Sequence, residues 1–199
     1  MTYTSNEKWQ RYEQALLEVL GCDQFPPSET ASTYQLLIIP VFHAPCCLRL
    51  TLTDQDGELS VALLVDRYAD LFDAVWRERL PEDVRPNRFA KRACLEDSVY
   101  LPAPQAAILR QQLATLEPAT LQDIDLAAHD GVSLRCDCWE GSTPHTFRMR
   151  SPTAQAAPRH SALCQLFFEA ARAHVHHTQI EEYLAVLERS FHELLRPAL

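Results

Sequence analysis

Residues 130–151 read DGVSLRCDCWEGSTPHTFRMRS, and this stretch decides the fold. Val132, Leu134, Cys136 and Cys138 alternate with Ser133, Arg135, Asp137 and Trp139. That period of two places each set on its own face of a β-strand. Past Glu140-Gly141-Ser142-Thr143 the alternation resumes, with His145, Phe147 and Met149 on one face and Thr146, Arg148 and Arg150 on the other. A four-residue loop joins the halves as a hairpin, pairing Cys138 with His145, Cys136 with Phe147 and Leu134 with Met149. The opposite face then pairs Asp137 with Thr146 and Arg135 with Arg148. A slip of one residue would set Phe147 against Asp137, so the pattern selects its own register. Two arginines directly opposite each other require an acidic neighbour or an anion, and Asp137 is a diagonal candidate.

Working outward, the rest of the chain divides between helices and further antiparallel strands. Thr4 and Glu7 form a capping box for a helix carrying Trp9, Tyr12, Leu16 and Leu20, with Gly21 as its C′ residue. Tyr34 to Phe42 is a buried strand. Leu48, Leu50 and Leu52 belong to the next, and after the turn Asp54-Gln55-Asp56-Gly57 a third returns through Leu59, Val61, Leu63 and Val65. Asp66 caps a helix whose apolar side is Tyr68, Leu71, Phe72, Val75 and Trp76. Pro81 and Pro86 make the following segment a loop. Glu96 to Leu101 reads as a short strand, and Pro102 and Pro104 open a helix with Ile108, Leu109, Leu113 and Leu116. Leu121 to Ala128 leads into the hairpin. After it comes a helix through Leu163, Leu166, Phe167, Ala170 and His174. A second capping box, Thr178 with Glu181, starts a new helix carrying Ile180, Tyr183, Leu184, Leu187, Phe191 and Leu194.

The fold class is therefore α+β, with antiparallel sheet packed against helices, in the order α-βββ-α followed by α-βββ-αα. One domain over residues 1–199 is the default for this length. The alternative is two similar halves, 1–92 and 93–199, related by duplication.

Composition weighs against whole classes of function. Eighteen bases against 27 acids give a net charge of −9, which disfavours nucleic acid and anionic membrane and suits a basic protein partner. There is no apolar run long enough to span a bilayer and no signal-peptide pattern at the N-terminus, so a cytoplasmic location is expected. Seven cysteines, an odd number at irregular spacing, read as small apolar residues rather than disulfides. The four glycines, Gly21, Gly57, Gly131 and Gly141, sit at helix ends and turns and leave none to cradle a phosphate.

Three groups could carry metal chemistry. His43-Ala44-Pro45-Cys46-Cys47 offers adjacent ligand types but no paired Cys-x-x-Cys, and reads better as a turn between buried strands. Cys136, Cys138 and His145 share a face and lack a fourth ligand; Phe147 and Met149 beside them point to a core face instead. His174, His177 and Glu181 would share a face only on an unbroken helix, which the Thr178 cap opposes. No nucleophile elbow, His-Glu-x-x-His or Walker loop is present. No cofactor and no catalytic residue is assigned.

Charge is the remaining signal. From Asp54 to Asp83 there are nine acids and three bases; from Val84 to Arg92 there are four bases and no acid. Asp66, Asp70 and Asp73 form one helical stripe, and with Asp54 and Asp56 they make the expected partner-binding face. Asp130-Gly131-Val132-Ser133-Leu134, Trp139-Glu140-Gly141, Phe147-Arg148-Met149-Arg150-Ser151-Pro152 and Glu182-Tyr183-Leu184 together resemble small bacterial proteins of the toxin-immunity kind and their uncharacterised relatives. That resemblance implies a chain that binds and blocks a toxin, and it assigns no functional residue. The leading expectation is a non-enzymatic protein-binding module, an immunity or adaptor protein with a basic partner. The alternative is a metal-dependent enzyme using a Cys/His cluster.

Overall fold

The computed structural model describes residues 5–24, 30–41, 43–65, 71–72, 94–125, 131–140 and 143–190. These residues form an α+β fold, in which strands from both ends of the chain join one seven-stranded sheet. The strands are β1 (Ala31–Pro40), β2 (Cys46–Thr53), β3 (Gly57–Leu64), β4 (Cys94–Leu101), β5 (Ile124–Asp125), β6 (Val132–Glu140) and β7 (Thr143–Arg150). Their spatial order is β4-β3-β2-β1-β6-β7-β5, and every pairing is antiparallel except that of β5 with β7. The helices whose bounds fall within the described residues are α1 (Ser5–Val19), α2 (Ala103–Leu116), α3 (Pro158–His174) and α4 (Thr178–Ser190), with a 3₁₀ turn at Pro118–Thr120.

The hairpin has the register that its alternation dictates: Cys138 faces His145, Cys136 faces Phe147 and Arg135 faces Arg148. The expected four-residue loop is corrected, because Glu140 and Thr143 are themselves paired and only residues 141–142 lie between the strands. The central seam is the antiparallel pairing of β1 with β6, which sets Gln35 opposite Asp137 and Leu36 opposite Cys136.

Each sheet face has its own core. On one face Leu36, Leu48, Leu50, Cys136 and Phe147 pack with α2, α3 and α4. On the other, Leu37, Ile39, Cys47, Ala62 and Leu64 pack against Leu16, Leu17 and Leu20 of α1 and against Leu71. Gly21, at φ +66°, closes α1 in the left-handed conformation that glycine adopts without a Cβ clash.

Two helix readings shift. Ile108 on α2 is 58% exposed, because Ala106, Leu109 and Leu113 face the sheet and the helical period turns Ile108 away. The break before α4 occurs where the sequence places it, but the first α-helical hydrogen bond runs from the Glu181 N–H to the His177 carbonyl, one residue ahead of the expected Thr178 cap. Among the described residues no helix is long and apolar enough to cross a membrane.

Candidate functional site at the acidic sheet margin

The α1 face of the sheet is apolar at one end and polar across its middle. Following Cα partners from strand to strand, Ser98, Ser60, Arg49, Gln35, Asp137 and Thr146 form a single row across six strands. At the β6–β7 end the row is fully engaged. The Asp137 carboxylate accepts from Arg135 Nε at 2.9 Å and Thr146 Oγ1 at 2.7 Å, and Arg49 Nε donates to Gln35 Oε1 at 3.0 Å. Gln35 and Asp137 are fully buried, and these hydrogen bonds offset the cost of placing them there. Glu13 of α1, also buried, reaches Arg148 at 2.9 Å and lies 3.9 Å from Arg135. The paired arginines thus have the anion their register demands. Asp137 was foreseeable; Glu13 was not, because nothing local marks it.

Towards β3 and β4 the same face opens into a groove of about 440 Å³. Its lining includes Arg49, Glu58, Ser60, Glu96, Asp97 and Ser98, with Gly21 and Cys22 closing one end. Asp54, Glu58 and Glu96 are exposed, Asp97 is half-buried, and none of the four has a hydrogen-bond or ion-pair partner among the described residues. Glu96 is also placed against the field of α1: its Oε1 is 3.9 Å from where a Gly21 Cβ would stand, at the negative end of that helix. The carbonyls there already accept weak thiol donors, Cys94 Sγ to Val19 at 3.4 Å and Cys22 Sγ to Leu20 at 3.3 Å. The Cys22 thiol is drawn below its ordinary value by a hydrogen bond from Cys47, against the opposing effect of burial, and then by the Arg49 charge. Cys47 is held well above its own by burial and by Cys22.

The expected partner-binding residues divide. Asp54 is exposed at the β2–β3 turn, while Asp56 is spent on the turn itself, accepting from Thr53 Oγ1 at 2.6 Å. Asp66, Asp70 and Asp73 lie outside the described residues. Glu58, Glu96 and Asp97 were missed as site residues. The signal was present in the alternation of Glu58-Leu59 and Glu96-Asp97 on strands, but only the sheet order makes these strands neighbours.

The residues of the three metal candidates lie in different surroundings. Cys46 and Cys47 are adjacent on β2 and enter opposite cores. Cys136 and Cys138 are fully buried with their sulfurs 3.8 Å apart, and His145 Nε2 is 2.7 Å from the Leu121 carbonyl oxygen. The break at residues 175–177 separates His174 from His177, and Glu181 instead sits 3.8 Å from His176. Among the described residues no group of three or more His, Cys, Asp or Glu side chains is arranged to hold a metal ion.

No protein-family model, curated protein or solved structure matches the chain.

Proposed function

We propose that the chain is a non-enzymatic protein-binding module, of the immunity or adaptor kind, that holds a basic partner at the β3–β4 margin. The observation that carries this reading is the set of carboxylates at Asp54, Glu58, Glu96 and Asp97, without hydrogen-bond or ion-pair partners among the described residues, at the margin of a groove of about 440 Å³. The net charge of −9 adds long-range attraction for such a partner.

The test uses a fluorescent nonalysine peptide and three proteins of known fold stability. These are the wild type, the margin variant E58Q/E96Q/D97N and a control variant E169Q/E182Q/D125N, which removes the same charge from exposed positions elsewhere. Three exposed pairs at roughly 0.5 kcal/mol each give about a tenfold loss of affinity for the margin variant. The control should bind like wild type, and wild-type affinity should fall as salt is added. Equal effects from both variants would mean diffuse attraction to an acidic protein and would remove this site.

A further inference from the structure

The two edges of the sheet differ. Two hydrogen bonds establish which backbone groups face outward on each. Thr53 N–H donates to Asp56 C=O and Leu64 N–H donates to Pro45 C=O, so even-numbered residues of β3 bond to β2. Odd-numbered residues of β3 therefore bond to β4, through Leu95, Asp97, Val99 and Leu101. The N–H and C=O groups of Glu96, Ser98 and Tyr100 point away from the sheet. The same parity on β7 turns the Arg148 N–H outward, and there it donates to Asp123 Oδ1 at 2.7 Å beside the β5 pairing. At residues 148–150 that edge is engaged. Among the described residues no strand lies beyond β4, and Glu96, Ser98 and Tyr100 are all exposed, Tyr100 by 66%.

We propose that the outer edge of β4 takes up an extended basic segment of a protein partner as an additional strand. This rests on the basic-partner reading above and specifies how that partner is held. Main-chain hydrogen bonds to Glu96, Ser98 and Tyr100 would supply the pairing. Side chains of the added strand opposite Glu96 and Asp97 fall on opposite faces of the sheet, so two adjacent basic residues satisfy both carboxylates. The one over Glu96 also meets the negative end of α1. Tyr100 offers an aromatic surface to a β-branched or aromatic residue four positions along the added strand from the one over Glu96. Charged residues on an edge strand guard against pairing with copies of itself, because a second acidic β4 would bring like charges together. A basic strand is the pairing that the same charges favour.

The experiment uses a seven-residue peptide of valine and threonine with two adjacent lysines at its centre. It is made plain and as two isomers, N-methylated at one or the other alternating set of backbone nitrogens. Only one set faces β4, so the isomers should differ in affinity by at least about tenfold, the weaker having lost its edge hydrogen bonds. Saturation with the plain peptide should slow amide exchange at Glu96, Ser98 and Tyr100, with Asp97 and Val99 already protected in the free protein. Ser98→Pro removes an outward N–H and spares the β3 ladder, so it should weaken the plain peptide as well. Equal binding of the two isomers, or no slowing at Glu96, Ser98 and Tyr100 in a saturated complex, overturns strand addition. If E58Q/E96Q/D97N still weakens nonalysine in that case, the basic-partner reading stands without it. Failure of both the plain peptide and nonalysine to bind removes both.

Discussion

Glu13 on α1 and Arg148 on β7 form the ion pair that fixes α1 to the far side of the sheet. The Glu13 carboxylate accepts from Arg148 Nε at 2.9 and 3.2 Å, across a separation of 135 positions in the chain. Burial works against the Arg148 charge, but Glu13 raises its pKa above the ordinary guanidinium value. The carboxylate is 2% exposed, so its loss leaves two arginines facing each other with one anion fewer.

Glu13→Gln is therefore expected to destabilise the fold by roughly 3 kcal/mol, the range for breaking a buried pair on one side. Urea unfolding measures this. Replacing Arg148 by Met in the same background should recover part of the loss, because the uncompensated charge goes with it. A cost for Glu13→Gln below about 0.5 kcal/mol would show the pair to be no better than an exposed one.

Alkaline pH should weaken the fold through its buried thiols. Burial pushes Cys46 and Cys164 up to about 12. An unfolded thiol ionises from roughly pH 8.5, so between there and 12 the folded chain keeps protons that the unfolded chain has released. Their stabilisation is complete below the unfolded value and is lost as pH rises, by about 1.4 kcal/mol per unit for each thiol. Cys164→Ala should lower baseline stability and flatten the slope between pH 9 and 11 by about one proton. Stability that stays level across that interval would contradict the burial of these thiols.

Tyr183 ties α4 to the turn between β1 and β2, its hydroxyl donating to the Ala44 carbonyl. Tyr183→Phe keeps the ring and removes that donor, and should cost about 1 kcal/mol in thermal or urea unfolding. The same change should leave nonalysine affinity untouched, since Glu58 and Glu96 lie on the sheet face opposite α4. An altered affinity would place part of the binding surface there.

Neutralising the margin carboxylates should not cost stability. Glu58→Gln, Glu96→Gln and Asp97→Asn each remove a charge with no hydrogen-bond or ion-pair partner among the described residues, and each should fall within about 0.5 kcal/mol of wild type. Glu96→Gln should lie on the stabilising side, because it relieves an acid at the wrong end of a helix. A clear destabilisation by any of them would reveal a structural partner and weaken its assignment to binding.

Alternation along residues 130–151 by itself determined the hairpin register, the face that holds Cys136, Phe147 and Met149, and the need for an anion between Arg135 and Arg148. The β1-β2-β3 meander and the break before α4 were legible for the same reason: periods of 2 and 3.6, and turn and cap residues, act over a few positions. Only the tertiary structure decided that β1 pairs with β6, that β4 joins β3 with no further strand beyond it among the described residues, and that Glu13 supplies the anion. Those pairings join residues far apart in the chain, between strands whose apolar patterns are interchangeable. Which edges meet is settled by burying both sheet faces at once, and no local period records that outcome.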